Sequence, residues 1–173
     1  MGQYYYTVNL DKWEFVHPHR LGDGLKAREF SYGPTSTILC ALLTTSTGAG
    51  GGDWPTKTSP RGELVVGRWA NDRIAIVGDY AEPEDVRFDG LPIGDLIFSL
   101  CDTDEEVLKH WRYLAGQAEQ MKENDHKERR WEEHGYNQAR MEGTANRLRM
   151  AYDRWGAMKN VSQPCLEWYE MQT

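Results

Sequence analysis

Little in this sequence is of the kind that names a chemistry. Its 173 residues include only three cysteines, Cys40, Cys101 and Cys165. Their odd number and wide spacing argue against a secreted disulfide framework or a thiolate metal site, and favour a reducing, cytoplasmic compartment. No apolar run approaches the length of about 18 residues that a spanning helix needs, so no membrane partner is expected. The opening Met1-Gly2-Gln3-Tyr4 lacks a basic stretch followed by an apolar one, which argues against a signal peptide. Lipidation is not expected either, because Tyr6 stands where a myristoylation motif wants Ser or Thr. A surplus of positive charge is also missing. The formal net charge is −7. Residues 1–102 hold 9 Lys+Arg against 14 Asp+Glu, and residues 103–160 hold 11 of each sign. A nucleic-acid footprint requires basic side chains to dominate one face, so general DNA or RNA binding is disfavoured. There is no Gly-Lys-Ser/Thr phosphate loop, no nucleophile elbow and no second zinc half-site, which leaves covalent catalysis without support.

What the chain does have is tryptophan, tyrosine and glycine: seven, nine and seventeen, against four Phe. Amphipathic rings of this kind favour half-wet places such as ligand pockets and interfaces. Residues 3–8 alternate Tyr4, Tyr6 and Val8 with Tyr5 and Thr7, a strand pattern, and the Asn9 to Lys12 turn leads into a second strand over Trp13 to Val16. His17 to Gly24 reads as loop. Ile38, Leu39, Leu42 and Leu43 recur at helical spacing behind Pro34, which predicts a short buried helix over Thr35 to Thr45, ended by the glycine-rich loop 48–54. Leu64 to Trp69 and Ile74 to Val77 read as the two strands of a hairpin turning on Asn71-Asp72. Asp95 to Cys101 is an apolar run that fits a last strand or a short helix, with the strand favoured.

The character changes at Asp102. A run of carboxylates at Asp104-Glu105-Glu106 suits the positive end of a helix. Val107, Trp111, Leu114, Ala118 and Met121 then follow a four-three spacing, repeated by Met141, Ala145, Leu148, Tyr152 and Trp155. The polar stretch from Lys122 to Arg130, with its helix-weak Asn124-Asp125, separates the two. Folded back near Gly135 they make an antiparallel hairpin, and unbroken they make an arm of roughly 80 Å at about 1.5 Å per residue. In the second case the exposed seams call for a host protein or a homodimer. The expected fold class is α+β: a small sheet of hairpins with one buried helix over residues 1–102, then a helical hairpin or antiparallel coiled-coil arm over 103–160, then a tail, 161–173.

Three loops carry candidate chemistry. His17, His19 and Arg20, followed by Asp23, offer a base, a metal ligand and an anion clamp within a few positions. Two His one residue apart occur in metal sites, but a third ligand would have to come from Asp23, Asp53, Asp72 or Asp79, and nothing selects among them. Gly48 to Gly52 with Asp53 and Trp54 could approach a phosphate, although the helix precedes rather than follows the glycines. Arg68, Trp69 and Arg73, with Tyr80 beyond the return strand, suit a planar anion, and equally suit ordinary cation–π pairs.

Met1-Gly2-Gln3-Tyr4-Tyr5, His17-Pro18 with Gly22-Asp23-Gly24-Leu25-Lys26, Gly51-Gly52-Asp53, Gly67-Arg68-Trp69-Ala70 with Asp72-Arg73, and Gly78-Asp79-Tyr80 together resemble a family of small bacterial and phage proteins with no assigned activity. The resemblance covers roughly residues 1–80, implies a bacterial or phage setting, and stops short of the helical C-terminus. The leading expectation is a non-catalytic binding protein of phage or mobile-element type that captures a host component, as an anti-defence inhibitor would. The target is a nucleotide-like anion held by His17, His19, Arg20, Trp54, Arg68, Trp69, Arg73 and Tyr80, or a protein held along the helices. The alternatives are a small phosphodiester hydrolase using His17 or His19 with Asp23, Asp53 or Asp79, and a coiled-coil dimer scaffold. No cofactor is expected.

Overall fold

The computed structural model of the chain describes residues 2–45, 54–128 and 131–172, with side chains left out for 124–128 and 131–138. The glycine run Gly48 to Gly52 and Asp53 lie outside the described residues. Strand β1 (Tyr5–Asn9) turns through Asn9, whose side-chain oxygen accepts from the backbone N–H of Asp11 and Lys12 at 2.9 and 2.8 Å. This Asx turn delivers the chain into β2 (Glu14–Val16), paired antiparallel as expected, with Val8 opposite Phe15. Trp13 takes the left-handed conformation at the end of the turn (φ 57°) and donates its indole N–H to the carbonyl of Gly156 at 2.9 Å. His17 to Gly24, expected as loop, contains one turn of 3-10 helix over Pro18–Leu21. Helix α1 (Ala27–Phe30) and the buried helix α2 (Pro34–Leu43) follow.

The expected hairpin of 64–69 with 74–77 does not form. Only β3 (Ile74–Gly78) is a strand, and it pairs antiparallel with β1, Thr7 opposite Ile76. Residues 64–69 instead curl under the end of α2, where Gly67 and Trp69 donate backbone N–H groups to the carbonyls of Ala41 and Leu42 at 2.9 and 2.8 Å. These bonds satisfy helix-terminal carbonyls that would otherwise be orphaned. Adjacent Val65 and Val66 are both buried. After the short ladder β4 (Arg87–Phe88) and β5 (Leu91–Pro92), the segment expected as a last strand is helix α3 (Gly94–Leu100). Its Leu96, Ile97 and Leu100 all reach the core at helical spacing, and short apolar runs are ambiguous between the two periods.

Helix α4 (Asp104–Glu128) includes Asn124-Asp125 and α5 (Trp131–Trp155) includes Gly135, so neither feature expected to break the helices does so. The pair is antiparallel: Arg149 late in α5 lies over the ring of Trp111 early in α4, 5.0 Å from its centroid, and Lys122 late in α4 pairs with Glu142 early in α5 at 3.2 Å. The two seams face one another. Val107, Ala118, Ala145 and Leu148 are buried, and Trp111, Leu114, Met121, Met141, Tyr152 and Trp155 are half-buried. Strand β6 (Lys159–Asn160) then adds parallel to β2, giving a mixed sheet in the order β3-β1-β2-β6, and the tail is helix α6 (Ser162–Gln172). The α+β class holds. Two apolar clusters fill the molecule. One gathers Tyr6, Val8, Phe15, α3, Val107, Leu148, Ala151 and Met158, and the other gathers Val16, α2, Val65, Val66, Trp69, Val161, Cys165 and Trp168. No helix among the described residues is long and apolar enough to cross a membrane.

Candidate functional site

A cleft of about 630 Å³ opens where the edge of the sheet meets the junction of α3 and α4. Strand alternation turns Tyr6 to this side. Its ring stacks on Phe98, with centroids 4.2 Å apart and 16° between planes, and its hydroxyl lies 3.4 Å from His17 Nε2. Burial, aided by the negative charge of neighbouring Asp102, pushes the phenol up to about 12, so it stays protonated at pH 7 and donates to Nε2 or accepts from it according to the tautomer of the imidazole. His17 ends the β2 segment, held by its backbone N–H donating to Ser162 Oγ at 2.8 Å. Burial and the positive charges of His19 and Arg20 push its pKa down, leaving a neutral ring at pH 7. Arg20 stands on the 3-10 turn above it. The opposite wall is Cys101, Asp102 and Asp104 from the α3–α4 junction, and the third is Met158, Lys159 and Asn160 from β6. The backbone N–H of Met158 donates to Leu100 at 2.8 Å and Cys101 Sγ lies 3.7 Å from Met158 Sδ, which fastens these two walls together.

The basic side chains at this cleft differ from most of the others. Arg61, Arg68, Arg73, Arg87, Arg140, Arg147, Arg149 and Arg154 each pair with a carboxylate, as do Lys12, Lys26, Lys109 and Lys122. Arg20 and Lys159 make no ion pair among the described residues, and both are exposed on the rim. An unpaired guanidinium and ammonium facing one concavity can take an anion without first breaking a salt bridge.

The eight residues expected to converge do not. His17 and Arg20 line the cleft, and His19, exposed, has its ring 5.8 Å from that of His17. Trp54 packs edge-on against Trp168 in the second cluster. Arg68 forks onto Glu14 at 2.9 and 2.6 Å, and fully buried Trp69 donates to the same carboxylate at 2.8 Å, so both support structure and have no face for a ligand. Arg73 pairs with Asp11 at 2.7 Å, and Tyr80 stands exposed beyond β3. The carboxylates expected to serve the histidines are engaged elsewhere. Asp23 accepts from Thr35 N–H at the start of α2, Asp79 accepts from Tyr4 N–H, and Asp72 holds Asn9 and Lys12. Among the described residues no group of three His, Cys, Asp or Glu side chains could hold a metal ion.

Sequence reading missed Tyr6, Asp102, Met158 and Lys159. Tyr6 is visible in the sequence only as a strand residue, Asp102 only as the point where the composition changes, and no local pattern links either to Lys159. Compared with known proteins, the chain matches no family model, no curated protein and no solved structure.

Proposed function

We propose that this chain is a non-catalytic binding protein that captures a small anionic ligand of the nucleotide-phosphate kind in the cleft at the end of the sheet, in a cytoplasmic bacterial or phage setting. The observation that carries the reading is the pair of unpaired cations, Arg20 and Lys159, on the rim of a cleft large enough for a small ligand. Capture rather than turnover is supported by the engagement of Asp23, Asp72 and Asp79 in hydrogen bonds to partners other than the histidines. A hydrolase would need a carboxylate or metal to orient His17, and the polar neighbour of His17 Nε2 is a phenol that resists ionisation. The helical hairpin buries its seams against itself, which weakens the case for a coiled-coil scaffold.

Calorimetric titration at low ionic strength with pyrophosphate and a panel of nucleotides tests this directly. Each of Arg20→Ala and Lys159→Ala is expected to weaken anion binding about tenfold, as the loss of a charge-assisted hydrogen bond does. Because both side chains are exposed, the fold survives their removal. Ligand carried through heat denaturation should be recovered intact. Affinity unchanged in the double variant, or recovery of cleaved ligand, would refute the reading.

A further inference from the structure

A second cleft, of about 440 Å³, lies across the wall that Tyr6, Cys101 and Asp102 share with the first. Its chemistry is different. Phe98 lines it from α3, and His110 and Tyr113 stand on α4 with their rings nearly parallel, 16° between planes and centroids 6.5 Å apart. Burial pushes the His110 pKa down, against the opposing pull of Asp102, so the imidazole is neutral at pH 7. Tyr113 leaves 60% of its surface exposed, so its ring is open to a flat ligand. The cation of this cleft, Lys109, is tied to Glu106 at 3.8 Å. Asp102, by contrast, makes no ion pair among the described residues, and its Oδ1 accepts only from the backbone N–H of Thr103, at 2.8 Å. An uncompensated carboxylate repels phosphate and attracts N–H donors. The first cleft is therefore basic on the side of Arg20 and Lys159, the second is aromatic, and the wall between them accepts hydrogen bonds.

We infer that the two clefts form one site for a guanine nucleotide, with its phosphates on Arg20 and Lys159, its base against Tyr113 and His110, and the N–H edge of that base turned to Asp102. This inference rests on reading the first cleft as an anion site. Guanine follows from the acceptor: a carboxylate takes two parallel N–H donors, and the guanine edge presents two adjacent ones where adenine presents a single amino group beside an acceptor. Stacking against the exposed ring adds affinity that any base would enjoy, so Asp102 is the part that discriminates.

The test is calorimetric titration of the full chain with pyrophosphate, guanosine diphosphate and adenosine diphosphate. Guanosine diphosphate should bind about tenfold more tightly than either of the others, as one good bidentate pairing implies. Tyr113→Ala should weaken both nucleotides several-fold and leave pyrophosphate unchanged. Asp102→Asn, which keeps an acceptor for Thr103, should erase the preference for guanine, and thermal melts should show both variants folded. If pyrophosphate binds as tightly as the nucleotides and Tyr113→Ala is silent, the second cleft is unused and this inference falls while the anion site stands. If the two nucleotides bind equally, the assignment of guanine to Asp102 is overturned. If none of the three binds, the anion site falls, and this inference with it.

Discussion

Glu14 shows how misleading a single residue can be in isolation. Its side chain is almost wholly buried, and burial alone would raise its pKa, but the Arg68 fork and the Trp69 indole N–H outweigh that effect and hold it below the usual carboxylate range. Arg68→Ala would strand a buried charge, which costs about 3–5 kcal/mol, so the midpoint of urea unfolding should fall sharply at pH 7. Because the folded pKa of Glu14 is depressed, its contribution is complete above the unfolded value of about 4.5 and is lost as pH falls through the folded one. In Arg68→Ala that acid loss should begin at higher pH. His17 and His110 give a separate signature. Both pKa values are pushed down in the fold, so below about 6.5 the unfolded chain takes up protons first and stability declines with falling pH. Urea titrations of a His17→Asn/His110→Asn variant between pH 5 and 7 should show a flatter slope than the native chain. Arg68 and Trp69 attracted a ligand reading because Arg beside Trp is a common binding signature. Their true partner lies 54 and 55 residues away, and no local window contains it.

At the level of elements, legibility followed the length of the periodic signal. The four-three seams of α4 and α5 repeat over many turns and were correctly read, as were β1, β2 and α2, each bounded by turn or proline chemistry. The seven residues of α3 and the buried curl at 64–69 are too short for periodicity to separate strand from helix or turn. Tertiary packing decided both. For α3 the decisive residue is Gly94, where an added Cβ would run into the backbone carbonyl of Glu82. Backbone cannot yield as a flexible side chain can, so Gly94→Ala should destabilise the fold by about 1–3 kcal/mol, as overpacking does, and calorimetric melting should show a lower Tm. The hairpin offers a paired control. Leu148 on the seam is 1% exposed and Met150 two positions on is 47% exposed. Leu148→Ala should cost about 2–5 kcal/mol and Met150→Ala within about 0.5, read from the same urea curves.

Across the whole molecule, the change of character at Asp102 marks a boundary in sequence composition that the packing does not respect. The first apolar cluster takes Tyr6, Val8 and Phe15 from one side of that boundary and Val107, Leu148, Ala151 and Met158 from the other. The second likewise closes Ile38, Leu42 and Trp69 under Val161, Cys165 and Trp168, and the Trp168 indole donates to the carbonyl of Thr56 at 2.8 Å. Strand β6 completes the sheet from near the end of the chain. The cleft inherits this weaving: Tyr6 comes from β1, His17 and Arg20 from the segment that follows β2, Asp102 from the junction, and Lys159 from β6. Its five parts are brought together only by closing long loops, which is why sequence spacing disclosed one loop of the site and none of its convergence. A chain ending after Cys101 would keep β1, β2 and β3 but lose one side of both clusters, exposing Val8, Phe15, Ile38 and Trp69 to water. At about 25 cal/mol per Å² of apolar surface, that loss exceeds the few kcal/mol by which a small domain is stable. The truncated chain should therefore show no cooperative thermal transition and no binding of pyrophosphate, whereas two independent units would leave a folded piece that melts sharply. Adding back residues 102–173 as a separate polypeptide should restore a cooperative transition together with anion binding, because the site and the core are assembled by the same contacts.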